Sequence, residues 1–583
     1  MIVTHVTHEA VEQMGGIGAV ISGLVNSDAY GEAVSRTILL GPLLFTDRPV
    51  NLRLGEGGQV LYSSLDAIDP PPWREKFRPI ERTYDVGIVY GRRVVTDACS
   101  GKSVTVEALL LDVFHANRER LNLFKGELYG KFAVPSSEFE NVWEYEQYLR
   151  LAEPGWEALR AIGCNGADEP LVILAHEYMG MPTALRAVLA GRRNVRTVFY
   201  AHEVASVRPI VEDAPGHDTM FYNVLRKAPA DGATLEELFP SVFGNFKHAL
   251  VKAARYCDHV FAVGDFVREE LKFLDKHFSR MNIDLVYNGI PAERISTEER
   301  GTSRDLLIGY ANALFGWTPK WVFSHVCRPV LSKSIWRDLR ILHELEPVLK
   351  RRGEKAVYFM LGTLAGQRRP ADVRQMERVY GWPVRHEHGY PDLCGGEELL
   401  GDMFEAFNKD HELIQAVFVN QWGWERQVCG ERMPEDMAFA DLRRGTDLEF
   451  GLSAYEPFGI SQFEPLSFGA ICVPSVVCGC VGFLRATAGQ EEREQNVLVG
   501  DFLNVPSRMK LKQLLDMPAE TRDAIETAEA RRLAGAIAER LSDAPEALKE
   551  RMERGCQLAE RMSWEHVVRE YFLPSLGRVA SGG

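Results

Sequence analysis

At 583 residues the chain exceeds the ~250–300 residues at which a single core stops growing, so two or more domains are expected. Its composition, 46% hydrophobic and 26% charged, is that of an ordinary globular protein and excludes a disordered or low-complexity chain. A net charge of −15 argues against nucleic acid or an anionic membrane as partner, while leaving room for a local basic pocket around one phosphorylated ligand.

In chain order, Met1–Val6 reads as a buried strand and lacks the layout of a signal peptide. A short glycine loop, Gly15-Gly16-Ile17-Gly18, follows it. Strand patterns then recur at Leu171–Ala175, Arg196–Tyr200, His259–Val263 and Asp284–Tyr287, and in the second half at Trp321–Val326, Ala356–Leu361, Ala416–Val419, Leu448–Leu452 and Ile471–Val477. Amphipathic stretches such as Phe246–Arg255 and Lys333–Arg351 lie between them, so α/β architecture with parallel sheets is expected. The polar segment Pro291–Asp305 is the expected linker, and the charged tail Ala519–Arg561 is expected to be helical. No run of about 18 apolar residues exists, so no membrane-spanning helix is expected. Ten cysteines without CxxC spacing, including Cys472, Cys478 and Cys480, read as reduced thiols in a cytoplasmic protein. None of the His-Glu dipeptides extends to HExxH, and no metal site is expected.

The chemistry concentrates between two strands of the second half, in Ser453-Ala454-Tyr455-Glu456-Pro457-Phe458-Gly459-Ile460-Ser461-Gln462-Phe463-Glu464. Gly459 permits close backbone approach, and a helix opening near Ile460 would offer free N–H groups to an anion. Glu456 in the loop and Glu464 in that helix suit a ligand with a phosphate and several hydroxyls, although an isolated pair of this kind is more often a helix cap and a surface glutamate. The segment as a whole resembles the E-x7-E signature of retaining glycosyltransferases of the GT-B fold. That resemblance implies that Glu456 contacts the donor sugar and Glu464 the ribose, while Gly459, Ile460 and Ser461 present N–H groups to the distal phosphate.

Other motifs extend the resemblance, toward the glycogen and starch synthases. Arg328 and Lys333, after the strand Trp321–Val326, are similar to the Arg/Lys pair that such transferases use in place of a metal, with Ser334 where the family commonly has Gly. Gly15-Gly16 resembles the K-x-G-G-[LI] donor loop, with Gln13 in place of the Lys. His202 and Arg208 keep the spacing of the H-A-T-L-L-G-R stretch of the animal and fungal group, and His176-Glu177 and Met220–Asn223 resemble its H-E-W and D-F-Y-N. Val286–Gly289, Arg444-Gly445, Val473–Val476 and Met562–Val568 resemble further motifs of these enzymes, the last being the helix that returns to the first domain.

The resemblance implies two Rossmann-like domains facing each other across a cleft: residues 1–304 on the acceptor side, 305–552 holding the nucleotide sugar, and a returning helix over 553–583. The implied activity is retaining transfer of a hexose, with glucose expected, from UDP-glucose or ADP-glucose to the non-reducing end of an α-glucan. Glu456, Arg328, Lys333 and His202 would be catalytic, and Gly15, Gly16, Arg208, Gly459, Ile460, Ser461 and Glu464 would bind the donor. No metal or other cofactor is required, and a homo-oligomer is compatible with the reading. Other acceptors (a small molecule, a lipid or a protein), a GT-B epimerase and a catalytically silent glucan-binding protein are the alternatives.

Overall fold

The computed structural model describes residues 1–12, 15–97, 100–167, 169–490 and 495–582. The chain divides into two compact units, each with its own sheet and core. Unit 1 comprises Met1–Val207, Ala228–Gly289 and Trp564–Gly583, and unit 2 comprises Arg208–Lys227 and Ile290–Ser563. The chain therefore passes to unit 2 at Gly289/Ile290, fifteen residues before the expected boundary at 304/305, and also sends a short excursion, 208–227, into unit 2. It returns at Trp564 rather than at residue 553.

Unit 1 is built on strands β1 (Ile2–Val6), β2 (Arg36–Pro42), β3 (Gln59–Ser63), β4 (Gly87–Thr96), β5 (Ser103–Asp112), β6 (Leu171–His176), β7 (Val195–Ala201), β8 (His259–Ala262) and β9 (Ile283–Leu285). Their order in the sheet is β3-β4-β5-β2-β1-β6-β7-β8-β9. β3, β4 and β5 pair antiparallel and the rest parallel, so this sheet is mixed rather than wholly parallel. The reason is local: β4 and β5 are two ten-residue strands joined by a short connection, which only an antiparallel hairpin allows. All six residues of β6 are buried, as expected for a central strand covered on both faces. The returning segment packs Trp564 so closely that a Cβ at Gly23 would lie 2.1 Å from its ring and one at Gly289 2.6 Å from its Cα. Both positions therefore require glycine.

Unit 2 carries β10 (Trp321–Val326), β11 (Ala356–Leu361), β12 (Ile414–Val419), β13 (Leu448–Gly451) and β14 (Ile471–Pro474), all parallel, in the order β12-β11-β10-β13-β14. Neighbouring residues of β10 feed opposite cores: Phe323 packs with Tyr358, Phe450 and Leu533, and Val322 with Phe359, Val417 and Leu307. The excursion is held by a buried ion network in which Arg337 Nη2 donates to Asp218 Oδ1 at 2.8 Å and Arg337 Nε to Glu526 Oε1 at 2.9 Å. The charged tail forms two helices, Ala519–Arg540 and Pro545–Arg561. All nine described cysteines are free, none of the described helices is long and apolar enough to cross a membrane, and no metal-binding group of side chains occurs among the described residues.

Because the strands of unit 2 are parallel, the loops after β10 and β13 leave the same edge of its sheet. In unit 1, the loops after β1, β6 and β7 likewise share one edge. These are the edges where α/β sheets bind ligands.

Candidate active site

Unit 2 brings Lys333 and Glu456 together. β10 ends at Val326, and the chain turns through Val330–Lys333, with Lys333 N–H donating to Val330 O at 3.0 Å. Lys333 Nζ then donates to Glu456 Oε2, and both side chains are largely enclosed. Two loops make this pairing rigid. Ser332 O accepts from Ala454 N at 2.7 Å and from Tyr455 N at 3.2 Å, while Ser334 Oγ accepts from Ala454 N at 3.0 Å.

Ser334 has φ +52° and ψ +41°, the left-handed region that glycine adopts most easily. The bond from Ala454 N to Ser334 Oγ offsets the strain of a non-glycine residue there.

Arg328 lies two residues beyond β10, exposed, with no hydrogen bond or ion pair to any described side chain. Arg208, in the excursion, reaches the same pair of loops. Its Nη1 lies 3.4 Å from Ser332 Oγ and 3.2 Å from Glu212 Oε1, and its guanidinium stacks 5.0 Å from the Tyr455 ring centroid. Gly459 has φ +92°, and a Cβ there would come within 2.6 Å of Gln462 Oε1 and 2.9 Å of Glu456 Cγ. Gly479 is packed more tightly still: a Cβ would sit 2.0 Å from Pro457 O.

The helix expected to open near Ile460 does not form there. Residues 461–463 make a turn, and a short 3-10 helix, Glu464–Phe468, follows. The cause is Pro465, which has no N–H to return to Ser461 O; that carbonyl instead accepts from Arg443 Nη2. The N–H groups of Gly459–Ser461 thus belong to a loop rather than to an α-helix terminus.

Glu464 Oε2 faces Arg443 Nε at 3.1 Å, and Arg443 Nη1 donates to Glu449 Oε2 at 3.0 Å. Burial raises the Glu464 pKa above the ordinary range, partly offset by Arg443. No described residue hydrogen-bonds to its Oε1, and the side chain is 24% exposed. Arg443 was not visible from spacing. The neighbouring Arg444 carries the motif but pairs with Glu293, and which of two adjacent arginines turns inward depends on the rotation of the helix Phe439–Gly445.

In unit 1, His202 follows β7, and His202 Nε2 lies 2.8 Å from His176 Nδ1. Glu177, at φ +59°, makes the sharp turn from β6 into the helix Glu177–Ala190, and its Oε1 accepts from Glu203 N at 2.5 Å, fixing the loop beside His202. Gly15 and Gly16 are exposed at the start of the helix Gly16–Asn26. A buried carboxylate already stands there: Glu9 Oε2 accepts from Gly18 N at 2.8 Å. Gln13 lies outside the described residues.

No protein-family profile matches the chain, and no curated protein matches it. Solved structures do. An OtsA apo structure is 11% identical with TM-score 0.50, covering 99% of this chain and 98% of its own. The E. coli trehalose-6-phosphate protein bound with UDP-2-fluoro glucose is 11% identical with TM-score 0.50, covering 100% and 99%. An alpha,alpha-trehalose-phosphate synthase (UDP-forming) from Burkholderia xenovorans in complex with glucose-6-phosphate is 13% identical with TM-score 0.50, covering 100% and 99%. At this identity the likeness shows architecture, and the architecture is the GT-B fold.

Proposed function

We propose that the chain is a retaining hexosyltransferase that takes glucose from a nucleoside diphosphate sugar. The observation that carries the reading is the Lys333–Glu456 pair, held by the bonded loops after β10 and β13, the first of which also carries the exposed Arg328. A lysine and an arginine at a strand's carboxyl end suit a diphosphate on which charge grows as the sugar leaves. Glu456 orients the sugar, Glu464 accepts from a ribose hydroxyl, and Gly459–Ser461 offer N–H groups to the distal phosphate. Arg208 steadies the Ser332 and Tyr455 loops from within unit 2.

In the reaction, the acceptor oxygen bonds to the anomeric carbon on the face from which the diphosphate departs. The anomeric C–O bond to the diphosphate breaks, and a leaving-phosphate oxygen takes the acceptor proton. The protein contributes position and charge, and in this reading the two cations do the work of a metal.

The sequence motifs favour the non-reducing end of an α-glucan as acceptor. A sugar phosphate is the second reading, favoured by the likeness to the trehalose-phosphate synthase in complex with glucose-6-phosphate. Incubation with UDP-glucose, ADP-glucose and GDP-mannose, each with glycogen, glucose 6-phosphate or no acceptor, separates them by nucleoside diphosphate release. Release that depends on glycogen supports the glucan. Dependence on glucose 6-phosphate replaces it with the phosphosugar, and no turnover of any donor refutes the transferase reading.

A further inference from the structure

Unit 1 contains three imidazoles in a row. His5, one residue before the end of β1, His176, at the end of β6, and His202, after β7, meet because β7, β6 and β1 are successive neighbours in the sheet. His202 Nε2 lies 2.8 Å from His176 Nδ1, His176 Nε2 lies 2.9 Å from His5 Nδ1, and His5 Nε2 lies 3.1 Å from Tyr30 OH. Tyr30 OH in turn lies 3.0 Å from Thr37 Oγ1. His5 and His176 are fully buried, and the rings lie edge to edge and nearly parallel, with 8° between His176 and His202 and 24° between His5 and His176. Tyr200 covers His202 from one side, its centroid 4.5 Å away.

Among the described residues, no carboxylate hydrogen-bonds to any of the three rings. Burial pulls the pKa of His5 and of His202 down to about 3, and that of His176 well below its ordinary value. All three are therefore neutral at physiological pH, each with one N–H and one lone pair. Each contact in the row needs one of each, so the three rings must share one direction. Either every proton points toward His202 or every proton points away from it.

The inner end decides which. A phenol is a far stronger acid than a neutral imidazole N–H, so Tyr30 donates to His5 Nε2 and its oxygen can accept from the Thr37 hydroxyl. His5 Nδ1–H then donates to His176 Nε2, and His176 Nδ1–H to His202 Nε2. His202 is left with its proton on Nδ1, the nitrogen that makes no hydrogen bond to a described residue. We infer that Tyr30, His5 and His176 are positioning residues, a hydrogen-bonded wire that holds His202 as a neutral donor at its open end. A neutral donor suits a substrate oxygen, because it steadies a growing partial charge without adding a full positive charge. This consequence for catalysis rests on the proposed transferase reading and on the catalytic role for His202 that the sequence resemblance implies.

The test is long-range proton–nitrogen correlation spectroscopy on the full-length protein labelled with 15N-histidine, the His202 signals being assigned by their loss in His202→Asn. The expected result is a protonated Nδ1 and an unprotonated Nε2 on His202 near neutral pH. The opposite tautomer, or an imidazolium, overturns the wire. Tyr30→Phe keeps the ring, which packs 5.9 Å from Phe572, and removes only the hydroxyl. It is expected to shift His202 toward the other tautomer, and an unchanged His202 overturns the wire as well. In the same variant kcat is expected to fall about tenfold, the worth of one lost hydrogen bond, with little change in the donor KM. If the tautomer moves and kcat does not, the wire stands and the catalytic role of His202 falls.

Discussion

Lys333 is the residue on which the proposed reaction depends most. Its ammonium is bonded to Glu456 and enclosed, where charge interactions are stronger than in open solvent. Lys333→Ala is expected to lower kcat at least a hundredfold, because roughly 3 kcal/mol of transition-state stabilisation is lost. Steady-state rates with the preferred donor and acceptor check it, and a near-normal rate removes Lys333 from the mechanism.

Ser334 offers a finer test. Ser334→Gly relieves the left-handed strain but gives up an acceptor for Ala454 N, which keeps its bond to Ser332 O. The two effects are each about 1 kcal/mol, so stability should change little. Ser334→Val retains no acceptor and adds a β-branched side chain at positive φ, and should cost about 2 kcal/mol or more, read as a lowered unfolding midpoint.

Two glycines show how differently an element responds to one methyl group. In the helix Ala519–Arg540, a Cβ at Gly535 meets nothing within 4 Å. Gly535→Ala should stabilise the protein by about 0.5–1 kcal/mol through helix propensity and a less flexible unfolded chain, without effect on turnover. At Gly479 the added Cβ would collide with Pro457 O at 2.0 Å, one residue from Glu456. Gly479→Ala should displace that loop and reduce turnover more than tenfold, while circular dichroism still shows a folded protein. Equal activity in the two variants would refute the claim that the Glu456 loop is held by backbone contact.

At this scale the chain was legible wherever one element specifies itself. Leu171–Ala175, Trp321–Val326 and Ala356–Leu361 are continuous apolar runs, and β6, β10 and β11 appear at those places. The hairpin β4–β5 and the short 3-10 helix at Glu464 were not singled out or were misread. The first needs a partner strand to be recognised, and the second turns on one proline within an otherwise helical pattern.

The whole molecule has the GT-B fold, in two units each built on its own sheet. If unit 2 holds the nucleotide, a nucleoside diphosphate should stabilise the folded protein by mass action. At one hundred times its Kd the gain is about 2.7 kcal/mol, seen as a raised unfolding midpoint. The order of UDP, ADP and GDP in that assay identifies the base, and Glu464→Ala should weaken the shift by removing the acceptor for a ribose hydroxyl. An equal shift in Glu464→Ala would remove Glu464 from nucleotide recognition.

Motif order and spacing along the chain were enough to indicate an α/β protein of GT-B type and to single out Glu456, Glu464, Arg328, Lys333 and His202, because local strand, loop and glycine signals are carried by neighbouring residues. Contacts across large sequence separations were a different matter. The pairing of Lys333 with Glu456, of Arg443 with Glu464, the burial of Arg337 between Asp218 and Glu526, and the row from Tyr30 through His5 and His176 to His202 join residues from 21 to 189 positions apart. Each such contact depends on which strands become neighbours and how each helix is rotated, and those are settled only when the sheets and cores pack.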